Sequence, residues 1–378
     1  MLISLMIGQL FENNCINCGK YKLKNKSISK YYYNIKHIIS NPSLVKEIGD
    51  TLYSKLNDFD IICGIPYGGL STAMYISTTY NKPLIIVRDQ PKGYGTEVQI
   101  EGAYKKTDRC VIVDDVITSG NSIQETIDIL QNRVNIVDIG VVFNRQQNFV
   151  TTKPVKYVLC KNDITKYKLQ KISEKKNSKI CLAADIQEPE KLIELLDKIG
   201  KYIVVCKIHF DTFDFTQQEE VMHKIIEKSI EYDFLIMEDR KFNDISSIVE
   251  KQYVQFSNWI DLVTVHTLVT SDVIQKLSGV LLVANMSNNT YNFTDKAIEL
   301  ANDNKDHVIG FITQKKIDCN DLVSMTPGIS FKVSNKEDQN YRSHRYVDTD
   351  FYIIGRAIYE CGNPEMAVKA FLEPRLTI

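Results

Sequence analysis

The sequence lacks an excess of charge of either sign: 46 Lys and Arg face 47 Asp and Glu, a net charge of −1 over 378 residues. Long nucleic acid and anionic membrane are therefore not indicated as partners, and any anion the protein binds must be held by a local site. A membrane-length apolar opening is also missing. MLISLMIGQLF is too short to span a bilayer and has neither the basic flank nor the small-residue cleavage site of a secretory signal. It reads as a helix packing on the body. Nor is there a paired cysteine framework. The nine cysteines are odd in number, and Cys63, Cys110, Cys181 and Cys206 sit inside apolar strand-like runs, as reduced core cysteines do, which points to a cytoplasmic setting. Cys15 and Cys18 form a C-x-x-C, but no second pair of that spacing follows, so zinc is not its expected use. Nothing in the composition indicates disorder. A chain of this length exceeds what one hydrophobic core usually organises, so two domains are expected.

What is present is two runs of strand-like segments. DIICGIP, LIIVRD, CVIVDDVI and NIVDIGVVF alternate with helical patterns in the first half and read as a parallel sheet covered on both faces, a Rossmann-like α/β domain over residues 1–160. A lysine-rich stretch, 161–178, has the composition of a linker or an exposed helix. Beyond it come eight strand candidates: KICLAADI, YIVVCKI, FLIMED, LVTVHT, VLLVANM, VIGFIT, VSMTPG and FYIIGRAI. Eight strand and helix units over residues 179–378 predict a (β/α)8 barrel, whose active site lies at the C-terminal strand ends, with phosphate near the loops after strands seven and eight.

Charge is crowded at three of those ends. In FLIMEDRKFND, residues 234–244, side chains alternate along the strand, so Asp239 and Lys241 project to one side and Glu238 and Arg240 to the other. The preceding strand ends in KIHFD, where the same spacing aligns Lys207, His209 and Asp211, and the first ends at Asp185. Rim salt bridges on a solvated face are the alternative. Three consecutive strands ending this way favour a reactive site.

The run AAD, KIH, EDRKFND, TPG, Q-N-Y and IIGRAI over residues 179–358 resembles the orotidine 5′-phosphate decarboxylases. The resemblance implies that Lys207, Asp239, Lys241 and Asp244 form an alternating charged network, with Asp244 reaching across a homodimer interface. It places Asp185 at the ribose, Ser287 at the pyrimidine and Gln339, Tyr341 and Arg356 at the phosphate, with His209, Pro327 and Gly355 as further substrate-binding positions. No cofactor is implied for this half.

In the first half, CVIVDDVITSGNS (110–122) is an apolar strand delivering two acids into a Thr/Ser/Gly turn before a helical pattern. Backbone N–H groups at such a turn, with Thr118, Ser119, Gly120 and Ser122, suit a phosphate, and Asp114 and Asp115 suit ribose hydroxyls. An ordinary strand with an Asx turn would not need two adjacent acids. This stretch resembles the phosphoribosyl pyrophosphate motif of type I phosphoribosyltransferases, and further segments resemble orotate phosphoribosyltransferase. LKNKSISKYYYN puts Lys24 near pyrophosphate and Tyr32 and Tyr33 near the orotate ring. GIPYGG, with Tyr67, resembles the pyrophosphate loop, VRDQPKGYG the mobile catalytic loop with Arg88 and Lys92 at basic positions, and FNRQQ puts Arg145 at the orotate carboxylate. Magnesium is implied as the companion of phosphoribosyl pyrophosphate, not held by protein side chains alone.

Together the halves resemble the bifunctional uridine 5′-monophosphate synthases, which convert orotate and phosphoribosyl pyrophosphate to orotidine 5′-phosphate and then to UMP and CO2. Four positions depart from the pattern. Asp89 stands at a usually basic loop position, Gly68 at one often basic, Asn144 in place of an acid, and Ile248 in place of a threonine that touches ribose. An anion near pyrophosphate is unfavourable unless a cation offsets it. The alternative is therefore a monofunctional decarboxylase with a weakened transferase domain. A nucleic-acid-binding regulator is disfavoured by the near-neutral charge.

Overall fold

The computed structural model describes residues 2–23, 26–88, 99–145, 151–288, 291–331, 334–336 and 339–373, without the side chains of 2, 334–336 and 339. Lys24, Asp89 and Lys92 lie outside these residues, as does the side chain of Gln339. The apolar opening is helix α1 (Leu2–Glu12), with Met6, Ile7 and Leu10 buried. It leads into a hairpin of β1 (Ile16–Lys22) and β2 (Ile28–Tyr33). The first-half strands are β3 (Ile61–Gly64), β4 (Leu84–Val87), β5 (Ile100–Glu101), β6 (Arg109–Ile117), β7 (Asn135–Asn144) and β8 (Val155–Cys160). They form one sheet in the order β5-β4-β3-β6-β7-β8, parallel except for β5. All four residues of β3 are buried, as a sheet covered on both faces requires. Helices α2 (Pro42–Tyr53), α3 (Leu70–Tyr80) and α4 (Asn121–Leu130) cover it. α2 starts where Asn41 accepts the Leu44 amide and Pro42 supplies a preset φ.

The expected linker is mostly helix α5 (Lys161–Lys176). Its lysines gave it a linker's composition, but Leu169 and Ile172 are three residues apart, on one helix face, and buried among barrel-interior residues such as Val205, Leu235, Leu262 and Ile309. Burying two such side chains stabilises by ~1.5–3 kcal/mol each. The helix thereby closes the interior of the barrel.

All eight anticipated strands form that barrel: β9 (Ile180–Ala183), β10 (Val205–Ile208), β11 (Leu235–Phe242), β12 (Leu262–His266), β13 (Val280–Val283), β14 (Val308–Ile312), β15 (Val323–Thr326) and, after three short strands, β19 (Phe351–Ile354). The short ones, β16 (Ile329–Ser330), β17 (Ser334–Lys336) and β18 (Gln339–Ser343), form a small sheet between the seventh and eighth barrel strands that sequence reasoning missed. Every barrel pairing is parallel and the sheet closes through β9 and β19.

The chain divides into two compact units: Met1–Asn17 with Tyr32–Ile164, and Cys18–Tyr31 with Thr165–Ile378. Residues 18–31 were expected with the first domain, yet they pack with the barrel. The Lys30 amide donates to Asn258 O, its ammonium to Asp261 at 2.6 Å and to the Phe234 carbonyl, and the Tyr31 hydroxyl to Asp261 at 2.6 Å. Phe234 and Asp261 directly precede β11 and β12, so this anchor sits at the N-terminal end of the barrel.

Candidate functional site

β9, β10 and β11 are neighbours, so their C-terminal ends converge. The Lys207 ammonium donates to Asp239 at 2.7 Å and to Asp185 at 3.3 Å, and Lys241 lies 2.9 Å from the same Asp239 carboxylate. His209 Nε2 approaches Asp239 at 3.4 Å. Lysine, aspartate, lysine and aspartate thus alternate. Thr264 on β12, absent from the sequence-level candidates, completes the arrangement: its hydroxyl donates to Asp239 at 2.8 Å and accepts the Lys241 amide at 3.0 Å. Lys241 has φ +53°, a left-handed conformation costing a non-glycine residue roughly 1–2 kcal/mol, and the register of β11 against β12 shifts here. The Thr264 bond helps offset that cost.

Asp211 does not join the network. The chain turns at Phe210 into a short 3-10 helix, and Asp211 pairs with Arg240 at 3.0 Å on the opposite side of β11.

Burial works against the charge on Asp239, but Lys207, Lys241 and His209 outweigh it and hold the carboxyl well below the usual range. Burial likewise pulls on Lys207, and Asp239 and Asp185 more than offset it, keeping the ammonium protonated. His209 is pushed down by burial and the Lys207 charge. The site is therefore a fixed set of opposite charges rather than a titrating group awaiting a proton.

These charges line one end of a cavity of about 240 Å³. Asp185, His209, Ser287, Pro327, Tyr341, Gly355 and Arg356 line it too, with Met286, Asn288 and Tyr359 as lining residues not anticipated. Pro327 and Tyr341 follow the seventh barrel strand, and Gly355 and Arg356 the eighth, where a (β/α)8 barrel usually holds phosphate. The Arg356 guanidinium lies 5.7 Å from the centre of the Tyr341 ring. Asp244 is exposed on the loop after β11 and is not among the residues lining the cavity. Ile248 is half-buried in the helix that follows.

In the first unit, β6 ends just before Thr118, Ser119 and Gly120, which lead into α4; Ser122 is in its first turn. Gly120 takes φ +76°, and no side chain caps the helix. The GIPYGG loop presses on this strand. A Cβ on Gly68 would stand 2.2 Å from Asp115 Oδ1, and one on Gly69 2.0 Å from Val113 O. At 69 the clash is with backbone, whereas at 68 it is with the Asp115 carboxylate, which would have to move for a side chain to fit. Tyr67 is exposed. Burial and the neighbouring Asp115 charge push the Asp114 carboxyl up to about 7, so this pair is short of positive charge.

Tyr33 stacks on Phe143 with ring centres 4.5 Å apart, and Arg145 lies 5.2 Å over the Tyr33 ring, so two of the residues expected around orotate do meet. Tyr32 is exposed. Asn144 ends β7 beside Arg145. Arg88 pairs with Glu101 at 2.6 Å. All nine cysteines are free: Cys15 is buried with its thiol near Asn13 O, and exposed Cys18 accepts from Lys168. Among the described residues no group of three or more His, Cys, Asp or Glu is placed to hold a metal ion, and no helix is long and apolar enough to cross a membrane.

Residues 34–173 match the phosphoribosyl transferase domain, and residues 178–371 the orotidine 5′-phosphate decarboxylase / HUMPS family. Over 98% of its length the chain is 28% identical to uridine 5′-monophosphate synthase of Bos taurus, covering 96% of that protein. It is 27% identical to the protein of that name from Caenorhabditis elegans, over 97% of this chain and 94% of the other. Orotidine 5′-phosphate decarboxylase of Schizosaccharomyces pombe is 33% identical over 56% of this chain, with 89% of that enzyme covered. The charged strand ends thus lie in a barrel matched across more than half of the chain, which belongs to the orotidine 5′-phosphate decarboxylase / HUMPS family and carries a phosphoribosyl transferase domain ahead of that barrel.

Proposed function

We infer that the chain catalyses two consecutive reactions of pyrimidine biosynthesis: orotate and phosphoribosyl pyrophosphate combine to orotidine 5′-phosphate, which loses CO2 to give UMP. The observation that carries the second step is the alternating Lys207, Asp239 and Lys241 group at one end of a cavity with Tyr341 and Arg356 also in its lining. Cleaving the bond from C6 to the carboxylate leaves an electron pair on a carbon with no ring atom placed to absorb it. Asp239, kept ionised by its two lysines, disfavours a carboxylate beside it. Lys241 offers a cation to the developing carbanion and then the proton that replaces CO2. Large enzymatic accelerations correspond to as much as ~23 kcal/mol, more than one ion pair supplies. Phosphate binding by Gln339, Tyr341 and Arg356 must therefore contribute to rate as well as affinity.

For the first step, Tyr33 and Arg145 are the groups for orotate, and Asp114, Asp115 and the turn through Ser122 those for the phosphoribosyl portion. The excess negative charge at Asp114 and Asp115 fits a substrate that arrives with magnesium. Bound with pyrophosphate, magnesium would neutralise charge on the departing group. Lys92 and Arg88 are assigned to the same task. At position 68 a side chain would need the Asp115 carboxylate to move aside, so the glycine and that carboxylate position go together.

A homodimer is part of this reading. Asp244 would act in the partner's site, and the exposed apolar side chains of Ile245, beside it, and Leu268, on the loop after β12, suit a protein interface there. The free cysteines fit a cytoplasmic setting.

Two assays on the purified chain test the reading: loss of orotidine 5′-phosphate alone, and UMP formation from orotate, phosphoribosyl pyrophosphate and magnesium. Both should run. Consumption of orotidine 5′-phosphate without use of orotate would leave the decarboxylase and sink the transferase.

A further inference from the structure

Glu238 belongs to the charged strand end but not to the network at the cavity. It projects from the outer face of β11, the face that also carries Ile236, and is fully buried. The paired residues of β10 and β11 stop at Ile208 and Glu238. Beyond them Phe210 still has an amide N–H to satisfy, and it donates that hydrogen to Glu238 Oε2 at 3.0 Å. The side chain thus stands in for the next carbonyl of the ladder. Its other oxygen, Oε1, is buried with no hydrogen-bond partner among the described residues. A carboxylate so placed would leave half of its charge unsolvated, whereas a neutral carboxyl would not.

The bond matters because of what flanks it. Phe210 follows His209 directly and lies two residues beyond the strand that carries Lys207. Asp239 follows Glu238. One hydrogen bond therefore ties together the two strand ends whose side chains meet at 2.7 Å. We propose that Glu238 is a positioning residue for the decarboxylation, acting as a neutral carboxyl that fixes the end of β10 against β11 and so sets Lys207 and His209 against Asp239. This rests on the decarboxylase reading of the site.

The charges facing Glu238 are Asp211 on the turn after β10 and Asp239 and Arg240 on β11. Burial first, then the two aspartates, push the carboxyl up to about 8, against the Phe210 hydrogen bond and Arg240, which act the other way. Ionisation in mildly alkaline solution would put a second anion beside Asp239 and strain the bond network it steadies. For stability the sign is fixed. A carboxyl whose folded pKa is raised contributes fully below its unfolded value and loses that contribution as pH rises through the folded one.

The test uses the full chain with Glu238→Gln and Glu238→Ala. Gln keeps the acceptor for Phe210 and cannot ionise. It should match the parent in kcat for orotidine 5′-phosphate near neutrality and lack the parent's alkaline fall near pH 8. Ala should lower kcat by about tenfold or more at every pH, through misplacement of Lys207, with a smaller change in KM. An alkaline fall that persists in Glu238→Gln overturns the proposal, and so does a loss in Gln as large as that in Ala. Melting temperature against pH gives a readout independent of activity. The parent should lose stability relative to Glu238→Gln between about pH 4.5 and 8 and run parallel to it above. A gap that stays constant across that range also overturns the proposal. If the parent does not consume orotidine 5′-phosphate at all, the decarboxylase reading fails, while the melting comparison still decides whether Glu238 is neutral.

Discussion

At the N-terminal end of the barrel Lys30 meets Asp261 at 2.6 Å, and at its mouth Lys207 meets Asp239 at 2.7 Å. Both pairs are out of water, with side chains 1% and 1% exposed in the first and 8% and 9% in the second. Their surroundings differ. Asp261 Oδ2 takes Lys30 and the Ile236 amide, Oδ1 takes the Tyr31 hydroxyl, and Lys30 also reaches the Phe234 carbonyl. That group is closed: every hydrogen bond is made within the protein, and Lys168, over the Tyr31 ring, adds a second buried cation that also favours the Asp261 charge. At the mouth Asp239 is shared between two lysines, and the series runs out to Lys241 and Asp185, which are 28% and 50% exposed toward the cavity. Buried ion pairs add little net stability, because desolvation cancels most of the attraction. The closed pair therefore specifies which segment docks on the barrel. The open series keeps charge available for a ligand.

Breaking the open series should have the largest effect, and on chemistry alone. Lys241→Ala should reduce kcat for orotidine 5′-phosphate by roughly 10²–10³-fold or more, the scale of losing one pre-placed charge-stabilising group. Asp239 keeps Lys207, so the melting temperature should hardly move; in the coupled assay orotidine 5′-phosphate should accumulate. Breaking the closed pair should do the reverse. Lys30→Met leaves Asp261 buried without its bonded cation and with only the more distant Lys168 charge, a loss of up to ~3–5 kcal/mol, read as a lower urea midpoint. At temperatures where the variant stays folded its decarboxylation kcat should be unchanged. Adding Asp261→Asn to it should recover part of the loss, since Asn removes the orphaned charge and keeps an acceptor. A Lys30→Met chain with full stability would end the comparison.

A half-buried cation in the other unit sharpens the contrast. Arg145 is pulled downward in pKa by burial, with the Tyr33 ring stacked beneath it. If it reads the orotate carboxylate, Arg145→Ala removes a charge-assisted hydrogen bond worth about 1.5–3 kcal/mol. The orotate KM should rise by the corresponding factor of roughly 10–150. Decarboxylation of supplied orotidine 5′-phosphate should not change.

The mouth was legible in the sequence and the anchor was not, for a physical reason. Barrel strands are short runs buried on both faces, so FLIMED and its neighbours stand out, and alternation alone separates Asp239 and Lys241 from Glu238 and Arg240. Asp211 was misplaced because alternation holds only while the strand does, and the chain turns at Phe210. Lys30 sits in KNKSISKYYY, where it reads as one more solvated lysine; its partner is 231 residues away, and no local pattern announces such a pairing. Thr264 reads in the sequence as an ordinary β-branched strand residue, since its role is set by a bulge in the adjacent strand. In α5 a lysine-rich composition hid the apolar pair Leu169 and Ile172.

The smallest expected effect concerns a position that does not line the cavity in this chain. Ile248, in the helix after Asp244, stands where the resemblance places a threonine against ribose. Thr and Ile are both β-branched, so the exchange leaves helix propensity nearly unchanged and trades a methyl and a methylene for a hydroxyl. The side chain is half-buried, so the cost in packing is modest. A neutral hydrogen bond to a ribose hydroxyl contributes about 0.5–1.5 kcal/mol. Ile248→Thr should therefore lower the KM for orotidine 5′-phosphate a few-fold and leave kcat alone, because the contact is equal in ground and transition states. An unchanged KM would show that ribose binding is met elsewhere, at Asp185 and along the charged series itself. In that case the open end of the barrel has already replaced the missing hydroxyl, and the departure at 248 is without consequence for the substrate.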